Sequence, residues 1–202
     1  MERGLRELKR EATGEALAHA AFELARERGL DGFVIDDVVQ RAGYSRRTFA
    51  NYFSCKEEAV ASVGFAGVED AGALLADLPP DLPLVDALHT VMRQQFATDT
   101  LVTMRELLAM VRRYPTLEPY LLSVQNRMRH AAQDLVLSVA GDRYPGIYVP
   151  LLFGAVYGAV TAALEGLLDV QLADDDGDAA GRGAMEYGSF LDVTFEYLRN
   201  GF

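Results

Sequence analysis

The chain has one cysteine, no tryptophan and only three histidines in 202 residues. A lone thiol, Cys55, excludes a disulfide framework and suits a reducing, cytoplasmic setting. His19, His89 and His130 are scattered, so together with Cys55 they offer no ligand set at zinc spacing, and no metal is expected. Isoleucine is nearly absent and no stretch alternates apolar with polar residues, so strands are not expected. The charged opening Met1–Glu15 lacks the apolar core of a secretory signal. No nucleophile–base pair, phosphate loop or metal cluster is evident in the longer C-terminal part. An enzyme is therefore not the expectation, and no cofactor is implied.

Basic charge is also short overall, with a formal net charge of −11. The imbalance is uneven. Residues 1–56 hold ten Lys/Arg against nine Asp/Glu, a net of +1; residues 57–202 hold nine against twenty-one, a net of −12. A near-neutral head can still grip phosphates where its arginines cluster, because the contact depends on the local field.

What the sequence does contain is a helical alphabet. Half of it is hydrophobic, enough to build a core, and Ala, Leu, Glu and Arg abound. Leu17, Ala20, Ala21 and Leu24 follow helical spacing, and Gly29 lies where a helix end wants a left-handed residue, giving a first helix over about 10–28. A short helix follows over Asp36–Arg41, with its aspartates at the positive dipole end. Gly43 breaks it, and Ser45 can cap a third helix running through Tyr52. A fourth begins near Cys55, with Ser54 and Glu57 at capping-box spacing. It runs to the linker Leu78-Pro79-Pro80-Asp81-Leu82-Pro83. Further helices are expected at about 84–98, 100–113, 117–140, 146–169 and 184–199, with the acidic, Gly-rich Asp174–Gly183 as a solvated loop. The fold class is all-α, about nine helices.

The stretch from Ile35 to Phe53 carries the chemistry. Val38, Val39, Ala42 and Phe49 can pack between two short helices, and Gly43 permits the tight turn that sets their angle. The second of these opens with Ser45-Arg46-Arg47-Thr48. In a helix-turn-helix, side chains at that end reach base edges in the major groove. Arginine can fork onto both acceptors of guanine, and threonine can meet a thymine methyl. Asn51 and Tyr52 fall one turn later and Lys56 opens the fourth helix, where they suit phosphate contacts.

Residues Thr13–Lys56 resemble the head of the TetR family of bacterial transcriptional regulators. The resemblance rests on Ala20-Ala21-Phe22-Glu23-Leu24, Glu27-Arg28-Gly29, Asp36-Asp37-Val38, Ala42-Gly43, Ser45-Arg46-Arg47-Thr48-Phe49, Asn51-Tyr52-Phe53 and Lys56-Glu57-Glu58. It implies a three-helix helix-turn-helix domain over residues 1–55, with the motif at about 35–53, and a helical effector-binding and dimerisation domain over 56–202. Four positions depart from the family's habit: Gly14 where Arg is common, Val34 where a threonine caps the second helix, Ala50 in place of an aromatic, and Cys55 for a capping serine. These departures imply fewer phosphate contacts and a shallower salt dependence. Arg3, Arg6, Lys9 and Arg10 could compensate as a basic arm, and a tolerated serine replacement is a simpler reading of Cys55 than a redox switch.

Ile147–Leu164 is an uncharged run of eighteen, at the threshold for a membrane span. Gly154, Gly158, Ala162 and Gly166 recur every fourth residue as one stripe along the helix, and Arg143, Glu165 and Asp169 flank the run. Glycines inside a helix cost about 1 kcal/mol each, so close approach of another helix is the natural compensation. The expectation is a two-fold interface made by 146–169 with 184–199, and no membrane. An adaptable apolar pocket is expected from Phe65, Met92, Phe96, Met128, Phe153, Tyr120 and Tyr157, with His89, Arg105 and Gln125 as polar handles. The implied protein is a repressor that leaves a palindromic operator on binding a small, largely apolar effector. The alternative is a ligand sensor of the same fold whose DNA binding is weakened or lost.

Overall fold

The computed structural model describes residues 5–65, 68–95, 98–171 and 185–201. Among them are ten α-helices: α1 Leu5–Arg28, α2 Ile35–Ala42, α3 Arg46–Ala50, α4 Lys56–Ala61, α5 Val68–Asp77, α6 Leu84–Gln95, α7 Thr98–Arg113, α8 Glu118–Ala140, α9 Tyr148–Leu164 and α10 Tyr187–Asn200. The all-α expectation holds. Two parallel two-residue strands, β1 Val170–Gln171 and β2 Met185–Glu186, pair Val170 with Met185 and Gln171 with Glu186. Strands this short carry no alternation from which to read them. The loop expected at Asp174–Gly183 lies outside the described residues.

Two boundaries moved for local reasons. The single helix expected from Cys55 to the proline linker stops at Ala61 and continues as a 3-10 turn, Ser62–Phe65, before α5. There the Ser62 hydroxyl bonds back to the Glu58 carbonyl at 2.8 Å, competing with the helix ladder, and Gly64 and Gly67 follow. The helix expected to reach residue 169 stops at Leu164. Gly166 takes a left-handed φ of 77°, its amide bonds the Ala163 carbonyl, and the Leu167 amide reaches Ala162. This is a glycine helix stop, so Gly166 ends the stripe of small residues rather than continuing it.

The chain folds as two compact units. One consists of α1–α4 with residues 109–127; the other consists of residues 67–108 and 128–202. The first is built on α1, where Leu17, Ala18, Ala20, Ala21, Phe22, Leu24 and Ala25 are all buried. Four alanines in that set leave the helix narrow, and α2 and α4 pack directly on it. Phe33, Val38, Phe49, Val60 and, from the later segment, Leu117 and Val124 complete this core.

In the second unit α6, α9 and α10 share a core of Leu84, Leu88, Leu152, Val156, Phe190, Leu191 and Phe195. A smaller cluster of Leu75, Ala87 and Val91 joins α5 to α6. The Tyr144 hydroxyl accepts the Leu84 amide at 2.8 Å, tying the start of α6 to the turn before α9. A polar strap runs along α6 and α10. Arg199 Nε meets Asp86 Oδ1 at 2.6 Å and its Nη2 lies 3.0 Å from His89 Nδ1. His89 Nε2 bonds Asp192 Oδ1 at 2.8 Å, and Asp192 Oδ2 takes Arg93 at 2.6 Å. A guanidinium only donates, so Nδ1 accepts and the imidazole carries its proton on Nε2. The ring stacks on Phe195 with centroids 4.7 Å apart.

The hydrogen bond from Arg93, supported by the one from His89 and opposed by burial, holds the Asp192 carboxyl below the usual carboxylate range. A depressed folded pKa adds stability that is complete above the unfolded value of about 3.9 and disappears as pH falls through the folded value. Asp192→Asn is therefore expected to be less stable than the wild type at pH 7. The two should converge as the pH falls below about 3.9. Chemical denaturation followed across that range measures the difference.

Candidate nucleic-acid interface

The α2–α3 pair is set by one backbone position. Gly43 ends α2 with φ 75° and ψ 29°, its amide and that of Tyr44 both turning back to the Val39 carbonyl. Two residues later Ser45 caps α3: its Oγ accepts the Thr48 amide at 3.0 Å and lies 2.9 Å from Thr48 Oγ1. Phe49 points inward and is buried with Val38, while Ser45, Arg46 and Arg47 face solvent. The turn and cap thus carry two arginines and two hydroxyls to the exposed N-terminal end of a buried-core helix.

The two arginines differ in surroundings. Arg46 Nε lies 2.5 Å from Asp36 Oδ1 in the first turn of α2. No ion pair engages Arg47 among the described residues. Elsewhere in the head the acids are also matched: Glu27 with Arg41 at 2.6 Å, Glu23 with Arg26 at 2.6 Å, Asp37 with Arg28 at 3.6 Å. The Arg41 hydrogen bond lowers the Glu27 pKa, against a small effect of burial.

Asn51 follows α3 as its C-cap and is exposed. Tyr52 is half-buried against α1, where a Cβ added at Gly14 would come within 3.2 Å of its ring. Gly14 sits inside an unbroken α1, so its missing side chain makes room for Tyr52 at a position where an arginine would crowd it. The sequence alone showed the helix cost of this glycine and not its fit. Lys56 turns inward. Its Nζ donates to the carbonyls of Leu30 and Phe33 at 2.7 and 2.9 Å and sits 4.9 Å over the Phe33 ring. The lysine thereby ties the Leu30–Phe33 connection to α4, a task that explains its presence without a phosphate.

The caps also differ from the expected pairing of Ser54 with Glu57. Cys55 is the N-cap of α4, its Sγ accepting the Glu58 amide at 3.4 Å. Glu58 answers by accepting the Ser54 amide at 2.8 Å and its hydroxyl at 2.7 Å. The reciprocal box is present one residue later than read. Val34, the exposed N-cap of α2, offers no side-chain acceptor, but Asp37 takes the Val34 amide at 2.8 Å, so half a cap survives. Two tyrosines from the 109–127 segment brace the same unit. Tyr114 places its hydroxyl at Gly29, where a Cβ would lie 2.6 Å away, and Tyr120 hydrogen-bonds Cys55. That bond and the negative charge Cys55 bears when ionised push the Tyr120 pKa up.

Of the residues grouped above as an effector pocket, Tyr120 and Gln125 belong to the first compact unit, and His89, Met92, Arg105, Met128, Phe153 and Tyr157 to the second. His89 is spent on the α6–α10 strap. Met92 and Phe153 pack against the second unit's core, and Phe153 stacks on Tyr157 with centroids 5.9 Å apart. Arg105, Gln125 and Met128 are half-buried. Phe96, the Phe65 side chain and Arg3 lie outside the described residues. A groove of about 490 Å³ opens elsewhere, between α9, α10 and the strand pair, lined by Ala155, Ala159, Val170, Phe190, Val193 and Tyr197 among others. It uses none of the expected pocket residues.

Helices α2 and α3, joined at Gly43 and seated on α1, form a helix-turn-helix. Residues 17–63 match the model for bacterial regulatory proteins of the tetR family. The likeness of fold extends over the whole chain. A transcriptional regulator from Rhodococcus sp. Rha1 is 22% identical, with 93% of this chain and 96% of that one covered and a TM-score of 0.54. A chain described as a TetR-family transcriptional regulator from Mesorhizobium loti is 17% identical, with 95% and 96% covered and a TM-score of 0.52. No curated protein matches the sequence.

Gly43 has nothing within 4 Å of where a Cβ would stand. Replacing it with alanine therefore isolates the cost of the left-handed backbone, about 1–2 kcal/mol. The denaturation midpoint of Gly43→Ala should fall accordingly, and an unchanged midpoint would show that the turn adapts.

Proposed function

We propose that the chain is a transcriptional regulator that binds a palindromic operator as a homodimer and leaves it when a small, largely apolar effector binds. The observation that carries the reading is the exposed end of α3. Ser45, Arg46, Arg47 and Thr48 are held there by a glycine turn and a serine cap on a buried framework, the arrangement that lets a short helix enter the major groove. Asn51 and Tyr52 lie beyond them as backbone contacts. Removal of Arg46 or Arg47 should weaken operator binding by about 1–3 kcal/mol if each reads a base. Binding measured in parallel on random DNA checks this, since an equal loss on both makes the residue a phosphate contact.

The dimer reading is supported by an unfilled apolar face on the second unit. On α9 Leu151 is 64% exposed, as is 69% of Ile147 at its N-cap, and nothing lies within 4 Å of a Cβ placed at Gly154 or Gly158. Ala155 continues this face into the groove shared with Val193 and Tyr197 of α10. A second copy brought against α9 and α10 would cover it, and two-fold symmetry would be mirrored in the operator. Gly158→Glu should give a monomer in sedimentation experiments and lose most operator affinity. A dimer that survives this change would place the interface elsewhere. No helix among the described residues is long and apolar enough to cross a membrane.

For the effector, the half-buried Met92, Phe153 and Tyr157 offer soft apolar contacts in the second unit. A second reading, a ligand sensor with weak DNA binding, draws on Val34, whose side chain has no polar group for a phosphate, and on Lys56, whose Nζ is engaged by the Leu30 and Phe33 carbonyls. Linkage separates the two, because an effector that releases DNA must itself bind less tightly when operator is present.

A further inference from the structure

We infer that Asp36 is a specificity-determining residue of the DNA-reading surface, acting by aiming the Arg46 guanidinium. The inference rests on the DNA-binding reading above. Asp36 lies in the first turn of α2 and Arg46 is the first residue of α3; only the Gly43 turn brings them together. Arg46 Nε and Asp36 Oδ1 are 2.5 Å apart, yet the side chains remain 68% and 63% exposed. Capping does not account for Asp36, since the adjacent Asp37 takes the Val34 amide.

The geometry has a consequence for base reading. A guanidinium can meet the O6 and N7 acceptors of guanine either through its two terminal nitrogens or through Nε and one of them. The Asp36 carboxylate sits against the Nε edge of the guanidinium as an ion pair, so the end-on fork is the one left open. The carboxylate also fixes a long, rotamer-rich side chain before DNA arrives, reducing the ordering that binding must supply. Its charge has a second effect. An exposed carboxylate beside the reading end repels phosphates, so it lowers affinity for all DNA while sharpening the response to the base that Arg46 meets. Specificity is a difference of affinities, and Asp36 acts on both sides of it. Arg47 retains the electrostatic attraction nearby.

The test begins with a pool of randomised 30-base-pair duplexes selected by the full-length wild-type protein. Asp36→Ala, Asp36→Asn, Arg46→Ala and the Asp36→Ala/Arg46→Ala pair are then titrated with the selected duplex and with a scrambled one. Asp36→Ala should bind the scrambled duplex several-fold more tightly, because a repelling charge is gone. Its preference for the selected duplex should fall roughly tenfold, within the range of one bidentate base contact. The lost preference should map to the same G·C pair that Arg46→Ala loses, and the double variant should lose no more. Asp36→Asn keeps an acceptor for Nε, so it should gain scrambled affinity while retaining the base preference. An Asp36→Ala protein whose preference is intact overturns the inference, and so does a loss at a different base pair, which would make Asp36 a reader in its own right. If the wild type enriches no duplex at all, the DNA-binding reading falls and takes this inference with it.

Discussion

The narrowness of α1 is the constraint on which the head depends. Its buried side carries alanine at positions 18, 20, 21 and 25 between Leu17, Phe22 and Leu24. Small residues let α2 and α4 lie close, and the larger ones fill the space that closeness leaves. A helix that presented bulk at those alanines would push both partners outward, since packed interiors take extra methylenes poorly. The angle between α2 and α3 would then have nothing rigid to rest on. Gly43 and Ser45 shape the turn, but the buried Phe49 and Val38 fix it, with α3 packed on α2 and α2 on α1. The direction in which Arg46 and Arg47 leave the surface is thus decided two helices away.

Charge in the head follows a similar economy. Glu23, Glu27, Asp36 and Asp37 each hold a basic partner. Exposed pairs of this kind contribute little to stability, about 0–1 kcal/mol apiece. Their effect is to orient and to muffle. The net of +1 over residues 1–56 therefore understates the contrast between the matched surface and the end of α3, where Arg47 has no counter-charge among the described residues.

The sequence was most legible where chemistry is local. The spacing of Leu17, Ala21 and Leu24, the glycine at 43 and the serine at 45 give α1, the turn and the α3 cap from residues within a few positions of each other. The stops at Ala61 and Leu164 are also local, made by Ser62 and Gly166, but a long apolar periodicity hides such stops when it continues past them. Contacts between distant residues were not legible. Lys56 looks like a surface lysine until Leu30 and Phe33 are seen to present carbonyls to it, and Gly14 looks like a weak point until Tyr52 fills its space. The surroundings of the expected pocket residues were not legible either. Met, aromatic and polar residues were grouped by kind, and His89 turned out to be held by Asp192 and Arg199, residues more than a hundred positions later. Of the exposed face of α9, the periodic small residues were readable, and the groove beside them was not.

The head's compact unit is not a contiguous stretch of chain. Leu117 is fully buried, and its 3-10 turn packs on α4. A nascent polypeptide that has delivered α1–α4 still lacks this wall of its core, along with Tyr114 and Tyr120. Residues 62–127, about 66, must yet be added, which takes roughly 3–13 s at bacterial elongation rates of 5–20 residues per second. During that interval the helix-turn-helix can form its local hydrogen bonds but cannot close. Closure of the head is thereby deferred until translation is well into the second unit, so an abortive fragment ending before residue 109 leaves an incomplete head.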